Sequence, residues 1–361
     1  MERKKMERKR IRDFGIVPGV MKTGPKNKIT DVPGVLVGHK TVRNGDNKTG
    51  VTVIVPGPGN VFERKFIAAG YVHNGFGKTC GLVQVEELGT LETPIALTNT
   101  LNVGKVWDVM VDIVVEQCEK DGLEPMSINP VVGECNDSRI NRIQKRAVGA
   151  AEVRQAFASV ADDFEEGAVG AGTGTICYGM KGGIGSASRV IRIGEKEYTI
   201  GVLVQSNFGA TEDFVLNGEA VGAKILDWKQ EKDDMAASEE DKGSIMSILA
   251  TDLPLTSRQL KRILRRTGVG IARTGGYTGH GSGEVMIGFT TENRIPSGTE
   301  EKLLQIQAIP EHVINRAFLA AAEAEQEAIL NSMTAAERTR GLAGELYYSL
   351  SEYLEDQDPK Q

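Results

Sequence analysis

The apolar residues of this chain follow two spacings, and the shorter one predicts strands. Val51, Val53 and Val55 alternate with Thr52 and Ile54, as expected for a strand inside a sheet. The same pattern predicts extended segments or strands at 30–39, 50–55, 81–85, 188–193, 198–205, 244–251 and 285–289. Residues 194–197 form the turn of the clearest hairpin, between 188 and 205.

A spacing of three or four residues predicts helices at 102–120, 258–267 and 311–331. The first should end near Gly122 and lie on a sheet. Thr256 and Gln259 have the spacing of a capping box, which opens the second helix, and Gly268 is its predicted stop.

The chain shows no internal repeat. By its length it could form one large domain or two ordinary ones, and we expect one domain over residues 1–361. A charged stretch poor in apolar residues, 229–242, predicts a flexible linker that is well placed to be cut. Residues 1–12 are rich in Lys and Arg, which predicts a solvated and poorly ordered tail.

Composition excludes several classes of function. The chain is 40% hydrophobic and 25% charged, with a net charge of -6, so nucleic acid is not an expected partner. It contains no run of 18 apolar residues and no apolar leader, so we expect a cytoplasmic protein without a membrane partner. The four cysteines and four histidines lack metal-ligand spacing. We therefore predict buried, reduced thiols and no metal.

Two glycine-rich stretches resemble nucleotide-binding loops but lack an essential part of each motif. Residues 75–79 end in Gly-Lys-Thr, yet the leading glycine of a P-loop would fall at Val72. Residues 167–185 carry eight glycines, but a strand-like stretch follows them, where a dinucleotide fingerprint needs a helix. Close packing of backbone against backbone explains these glycines better.

The junction of the linker and the strand at 244–251 is the peptide bond Gly243-Ser244. Gly243 places no Cβ beside its own carbonyl, so the Ser244 hydroxyl could attack that carbonyl in an N-to-O acyl shift. Hydrolysis of the ester would leave Ser244 as a new N-terminus, whose amine titrates near ~8 and can act as base for its own hydroxyl. On these two residues alone, a simple loop end is the commoner explanation.

Three further polar residues stand at predicted strand ends. Asn207 follows the second strand of the hairpin, where it is either a turn residue or, if that end faces Ser244, an oxyanion donor. Ser282 and Glu284 are two residues apart and would share one face of a strand. They could orient protons together, although a solvated strand end is the simpler alternative.

Several segments, taken together and in order, resemble the DmpA-type aminopeptidases, the self-processing family that includes the β-peptidyl aminopeptidases. Among them are Lys181-Gly182-Gly183-Ile184-Gly185, Gly243-Ser244 and Ala250-Thr251-Asp252. The matching segments are 23–25, 27–35, 92–100, 170–189, 243–244, 250–252, 270–275 and 335–337.

The resemblance implies a four-layer α/β/β/α sandwich, like that of DmpA and the ornithine acetyltransferases, made from an autocleaved precursor. Cleavage of this zymogen would give an α chain of residues 1–243 and a β chain of residues 244–361 that stay together. The family uses no metal or cofactor. It also suggests a homo-oligomer of processed units.

Carried over by position, Ser244 is the nucleophile, Asn207 an oxyanion donor, and Ser282 with Glu284 the pair that orients the nucleophile. Glu134 resembles the acid that holds the free amine of the substrate. The family is a group of serine aminopeptidases that release N-terminal residues, in some members D- or β-amino acids, from short peptides, amides and esters.

Two positions depart from the family pattern, and two alternatives remain. Lys78 and Lys242 stand where members commonly have acids, which would alter the pocket and slow processing respectively. One alternative is an acyltransferase of the same fold, although those enzymes generally use Thr as nucleophile. The other is a scaffold that stays uncleaved and has no catalytic activity.

Overall fold

Two β-sheets stack face to face, and helices cover the outer face of each. The computed structural model describes residues 8–232, 243–298 and 301–357. Sheet 1 has the strand order β1-β2-β5-β6, and sheet 2 has the order β4-β3-β14-β13-β10-β9. The strands are β1 Leu36–Asn44, β2 Asn47–Val55, β3 Arg64–Asn74, β4 Thr90–Leu91, β5 Ile95–Asn99, β6 Val131–Cys135, β7 Ile176–Cys177, β8 Met180–Lys181, β9 Gly183–Ile193, β10 Lys196–Asn207, β11 Val215–Leu216, β12 Glu219–Ala220, β13 Ser244–Thr251, β14 Gly283–Pro296, β15 Thr339–Arg340 and β16 Leu346–Tyr347.

The α-helices supply the two outer layers. They are α1 Leu82–Leu88, α2 Val103–Lys120, α3 Ala150–Ala158, α4 Gly222–Glu231, α5 Ser257–Leu264, α6 Thr267–Arg273, α7 Asn315–Thr334 and α8 Leu350–Gln357. Valines of α2 and α3 pack on the outer face of sheet 1. Alanines of α7 pack on the outer face of sheet 2, where α5 and α6 also contribute. The result is the expected α/β/β/α sandwich.

Strand β13 lies at the centre of sheet 2, antiparallel to β10 and parallel to β14. All eight of its residues are buried, because both faces of the sheet are covered. Met246 and Ile248 point into the core between the sheets, whereas Ile245 and Leu249 point toward the helices. Successive side chains of a strand alternate between faces, so Ser244 shares the inter-sheet face with Met246.

The glycines between 167 and 185 pack backbone against backbone, as the sequence predicted. A Cβ on Gly183 would lie 2.4 Å from the carbonyl oxygen of Gly167. A Cβ on Gly185 would lie 2.0 Å from the carbonyl oxygen of Ala328 in α7. Larger residues at these two positions would push the helix and the loop away from β9.

The predicted strand at 81–85 is wrong. These residues begin α1, and Gly81 precedes it with a φ of +87° that a residue with a side chain rarely adopts. Val85 is fully buried, whereas Val83 is 87% exposed. The apolar residues of this stretch therefore follow a helical spacing. A stretch of five residues is too short for that spacing to be recognised in the sequence.

The predicted helix at 258–267 is in fact two helices. The capping box is confirmed, because the Gln259 N–H donates to Thr256 Oγ1 over 3.2 Å. However, α5 ends at Leu264, and Gly268 lies inside α6 instead of stopping a helix. A Cβ on Gly270 would lie 2.5 Å from Glu325 Cβ in α7, so α6 uses a glycine for close helix packing.

The sequence also predicted too much disorder at both the linker and the N-terminus. Residues 229–231 belong to α4, and the Lys229 ammonium donates to the Gly179 carbonyl over 2.6 Å. Near the N-terminus, Arg10 and Arg12 form ion pairs with Glu166 and Glu327 at 2.8 and 2.6 Å. The rest of the predicted linker, 233–242 with Lys242, and residues 1–7 lie outside the described residues.

Two other helical predictions are close to the structure. The helix at 102–120 is α2, and it packs on sheet 1 as expected. The helix at 311–331 begins as a short 3-10 turn and becomes α7 only at Asn315. The polar C-terminal part contains α8, which the sequence did not predict. In the part of the chain that the structure describes, no helix is both long and apolar enough to cross a bilayer.

Candidate active site

Ser244 is the first residue of β13 and lies at one end of sheet 2. It pairs with Asn207, the last residue of β10, and with Gly283, the first residue of β14. Directly opposed residues of antiparallel strands have Cβ atoms about 5 Å apart on the same face. The fold therefore brings the Ser244 hydroxyl and the Asn207 side-chain amide together, although 36 sequence positions separate the two residues along the chain.

Gly243 is held in a space that admits no side chain. A Cβ at this position would lie 1.9 Å from the carbonyl oxygen of Asn207 and 2.5 Å from Phe208 Cα. The carbonyl oxygen of Gly243 accepts a hydrogen bond from the Gly283 N–H over 3.1 Å. A backbone N–H is thus already directed at the carbonyl that Ser244 would have to attack.

A backbone N–H holds the oxygen of the Asn207 side chain. Its Oδ1 accepts the Ile176 N–H over 3.0 Å, which assigns the oxygen and nitrogen of the amide. Nδ2 is then the donor end of the side chain. Asn207 is a strand residue, not a turn residue, and Ile176 is a partner that no local sequence pattern indicated.

Ser282 and Glu284 are buried and in contact with each other. The Ser282 hydroxyl donates to the Glu284 carboxylate, and the Asn74 amide donates to the Ser282 carbonyl. Ser282 and Glu284 flank Gly283, the neighbour of Ser244 in the sheet. The simpler alternative of a solvated strand end is wrong, since both side chains are at most 1% exposed.

Glu134 lies near the end of β6 in sheet 1 and is 5% exposed. Its Oε1 accepts the Lys78 N–H over 3.1 Å, and its Oε2 accepts the Thr100 hydroxyl. Among the described residues, no Lys or Arg forms an ion pair with it. A buried carboxylate that receives neutral donors has a strong preference for an additional cation.

The loop 76–79 connects the surroundings of Ser244 with Glu134. A Cβ on Gly283 would lie 2.5 Å from the Phe76 carbonyl oxygen, and a Cβ on Gly77 would lie 2.9 Å from Glu134 Oε1. The rejected P-loop is therefore a wall of this site. The Lys78 ammonium stands 5.9 Å from the centre of the Phe76 ring, at the outer side of the loop.

Cys135 is a further residue of the site that the sequence indicated only as an inert thiol. Its Sγ lies 3.4 Å from the Gln205 carbonyl oxygen and 3.5 Å from that of Ser244. Burial raises the pKa of this thiol, so it stays protonated, and its one S–H can donate to either oxygen. Cys135 thereby ties sheet 1 to the first residue of β13, one position from Glu134.

Comparisons with known proteins show the family of the chain. Peptidase family S58 matches residues 27–347 of the chain. A β-peptidyl aminopeptidase from Sphingosinicella xenopeptidilytica is 37% identical over 358 residues, which cover 94% of this chain and 88% of the relative.

Solved structures are similar to this chain over nearly its whole length. The PH0078 protein from Pyrococcus horikoshii OT3 is 44% identical with a TM-score of 0.89, over 96% of this chain and 98% of that one. The L-aminopeptidase D-Ala-esterase/amidase from Ochrobactrum anthropi, a prototype of the serine aminopeptidases with a variant of the Ntn-hydrolase fold, is 34% identical with a TM-score of 0.87, over 96% of each chain. The chain therefore belongs to peptidase family S58, the self-processing aminopeptidases.

Proposed function

We propose that this chain cuts its own Gly243-Ser244 bond and then uses Ser244 as the N-terminal nucleophile of an aminopeptidase. The pairing of Ser244 with Asn207 at the buried end of sheet 2 carries the proposal, because it supplies a nucleophile and an oxyanion donor on one face. The substrates are short peptides, amides and esters with a free N-terminal amine.

The cut begins with attack of the Ser244 hydroxyl on the Gly243 carbonyl. The missing Cβ of Gly243 and the hydrogen bond from the Gly283 N–H support this step, since they leave the carbonyl accessible and polarised. The peptide C–N bond breaks, an ester forms on the Ser244 oxygen, and the amine of Ser244 takes a proton. Water then hydrolyses the ester and separates residues 1–243 from 244–361.

In the mature enzyme, the new amine of Ser244 takes the proton of its own hydroxyl as the latter attacks a substrate carbonyl. Asn207 Nδ2 donates to the oxyanion. Ser282 and Glu284 orient the nucleophile, and Glu134 pairs with the substrate ammonium. Water then hydrolyses the acyl-enzyme. In this mechanism the residues of the chain carry each step, and no metal or cofactor is assigned a role.

The two chains stay together after the cut because they share sheet 2. Strand β13 of the second chain lies between β10 of the first chain and β14, and β14 pairs in turn with β3 of the first chain. Removing one chain would expose the core of both. A homo-oligomer of processed units and a cytoplasmic location are further parts of this proposal, and light scattering of the purified protein tests the first.

The names of two relatives support the substrate class. One is a β-peptidyl aminopeptidase, and another is an L-aminopeptidase that also acts as a D-Ala esterase and amidase. Such substrates share a free amine close to a carbonyl. The buried Glu134 and the paired Ser244 and Asn207 fit these two groups.

The test combines intact mass, N-terminal sequencing and hydrolysis of aminoacyl p-nitroanilides. The wild type should give fragments 1–243 and 244–361 and release p-nitroaniline, whereas Ser244→Ala should stay uncut and inactive. Ser247→Ala is the matched control, since this serine lies on the same strand but contacts Glu325 in α7. An uncut wild type that hydrolyses none of these compounds would support the scaffold, and diversion of the acyl group to added amines would support the acyltransferase.

A further inference from the structure

Lys181 is fully buried and bound by backbone carbonyls. Its ammonium donates to the carbonyl oxygens of Gly172, Thr175 and Gly182 at 3.0, 2.7 and 2.8 Å. An ammonium has three N–H groups, so all three are used. The proposed mechanism gives this residue no role, although it lies in one of the segments that resemble the family.

A charge in such a place is costly to bury without a compensating partner. Among the described residues, no carboxylate lies within ion-pair distance of Lys181. The pKa of Lys181 is lowered to about 7, mainly by burial and also by nearby Arg43, whereas Asp137 and Cys177 act in the opposite direction. Burial therefore disfavours the charged form of this side chain, and what a lysine supplies here that an apolar residue would not is its hydrogen bonds to the loop carbonyls.

The carbonyl of Thr175 and the N–H of Ile176 belong to the same peptide group. Lys181 donates to the oxygen of this peptide, and its N–H donates to Asn207 Oδ1 over 3.0 Å. The peptide is planar, so fixing its oxygen fixes the direction of its N–H. Hydrogen bonds in a chain also polarise one another, which makes this N–H a stronger donor to Asn207.

We propose that Lys181 is a positioning residue that orients the Asn207 amide through the peptide between Thr175 and Ile176. The inference rests on the proposed role of Asn207 as an oxyanion donor. Lys181 touches neither substrate nor Ser244 in this assignment. Its removal changes the direction in which Asn207 Nδ2 points.

The loop has a second support, which limits the expected effect. The Gly182 N–H also donates to the Thr175 carbonyl, over 3.1 Å, and the Thr175 hydroxyl donates to the Gly172 carbonyl over 3.1 Å. Without Lys181 the loop keeps its course but holds the peptide less firmly. A misplacement near 1 Å at a reacting centre costs about 100-fold in rate, so Lys181→Met should lower kcat about 10- to 100-fold.

A double-mutant cycle with Asn207→Ala tests the inference on processed enzyme, with kcat expressed per mole of Ser244 N-terminus. Lys181→Met should lower kcat and leave KM within about twofold, because amine binding by Glu134 is untouched. Lys181→Met combined with Asn207→Ala should be no slower than Asn207→Ala alone. The matched control is Lys229→Met, a buried lysine that donates to Gly179 outside this peptide and should keep its kcat.

Additive losses in the double variant, or a normal kcat in Lys181→Met, would overturn the inference. If Lys181→Met does not fold, Lys181→Gln replaces it in the cycle, and loss of folding in both variants would equally overturn it in favour of a purely structural role. A wild type without activity would instead refute the proposed function. The two failures are thereby distinguishable.

Discussion

The buried carboxyl group of Glu325 makes the stability of this protein depend on pH in a predictable direction. Glu325 lies on α7 and is fully buried against β13, where the Ser247 hydroxyl donates to its Oε1 over 2.6 Å. Within the described residues, its Oε2 has no hydrogen-bond partner. Burial raises the pKa of Glu325 from 4.5 to about 8, and the hydrogen bond from Ser247 opposes this only in part.

The raised pKa converts into a free energy of unfolding. Below pH 4.5 the carboxyl group is protonated in both the folded and the unfolded protein, so it adds no penalty. Above that pH the unfolded chain loses the proton first, and each further pH unit costs the folded state ~1.4 kcal/mol. The penalty is complete above a pH of about 8, where it reaches about 5 kcal/mol on this scale.

Urea unfolding of Glu325→Gln between pH 5 and 8.5 measures this penalty. Both proteins carry Ser244→Ala, so that each unfolds as one uncut chain. The free energy of unfolding of the variant should exceed that of its parent by less than about 1 kcal/mol at pH 5, by about 3 kcal/mol at pH 7 and by about 5 kcal/mol at pH 8.5. A difference in unfolding free energy that is the same at every pH would indicate altered packing. A difference that grows with pH reports the ionisation of Glu325.

The contrasting control is Glu327→Gln, two residues further along α7. Glu327 forms an ion pair with the buried Arg189 at 2.7 Å, and its pKa is lowered. Its replacement leaves Arg189 with Glu323, at 3.0 Å, as its remaining carboxylate, and should cost about 1.5–3 kcal/mol at pH 7, as loss of a charged hydrogen bond does. The account of Glu325 as a protonated acid would be wrong if Glu325→Gln and its parent had the same free energy of unfolding at every pH. It would also be wrong if the variant became less stable than its parent as the pH rose.

Three further predictions concern the proposed active site. Asn207→Ala should lower kcat about 100- to 1,000-fold in aminoacyl p-nitroanilide assays, and an unchanged kcat would remove it from the oxyanion site. Glu134→Gln should weaken kcat/KM for substrates with a free amine by about 10- to 100-fold, as loss of a charged hydrogen bond does, but should leave ester substrates with a blocked amine unaffected. Gly243→Ala should slow or stop processing, because its Cβ would meet the Asn207 carbonyl oxygen at 1.9 Å. Intact mass after timed incubation measures the fraction of cut chain, and processing at the normal rate would contradict the steric argument.

Local sequence patterns predicted the elements that are regular over many residues. The hairpin of β9 and β10, the helix α2 and the strand β13 each extend over at least eight residues with one periodicity. Short elements were not predictable in this way. In α1 the buried Val85 and the exposed Val83 fit a helix, but a helix of seven residues owes its stability to packing rather than to its own pattern.

Charged segments were predicted poorly because their partners are distant in sequence. Arg12 pairs with Glu327, and Lys229 donates to the Gly179 carbonyl. Composition alone describes a solvated tail or linker, since it contains no information about which buried acid or carbonyl lies opposite. The same holds for Lys181, whose three carbonyl partners come together only when the loop 172–182 is folded.

The geometry of the site depends on strand register, and β13 shows why register could not be read from the sequence. A strand that is buried on one face has its register specified by alternation, because a slip of one residue would turn its apolar side chains to water. Strand β13 is buried on both faces, so the alternation of apolar and polar residues specifies its register only weakly. Steric fit favours the observed register, because Gly243 lies against the Asn207 carbonyl and Gly283 beneath Phe76, with no room for a Cβ at either position. The two glycines next to Ser244 thus place it opposite Asn207, and a side chain at either position would displace the nucleophile from the amide that is proposed to serve it.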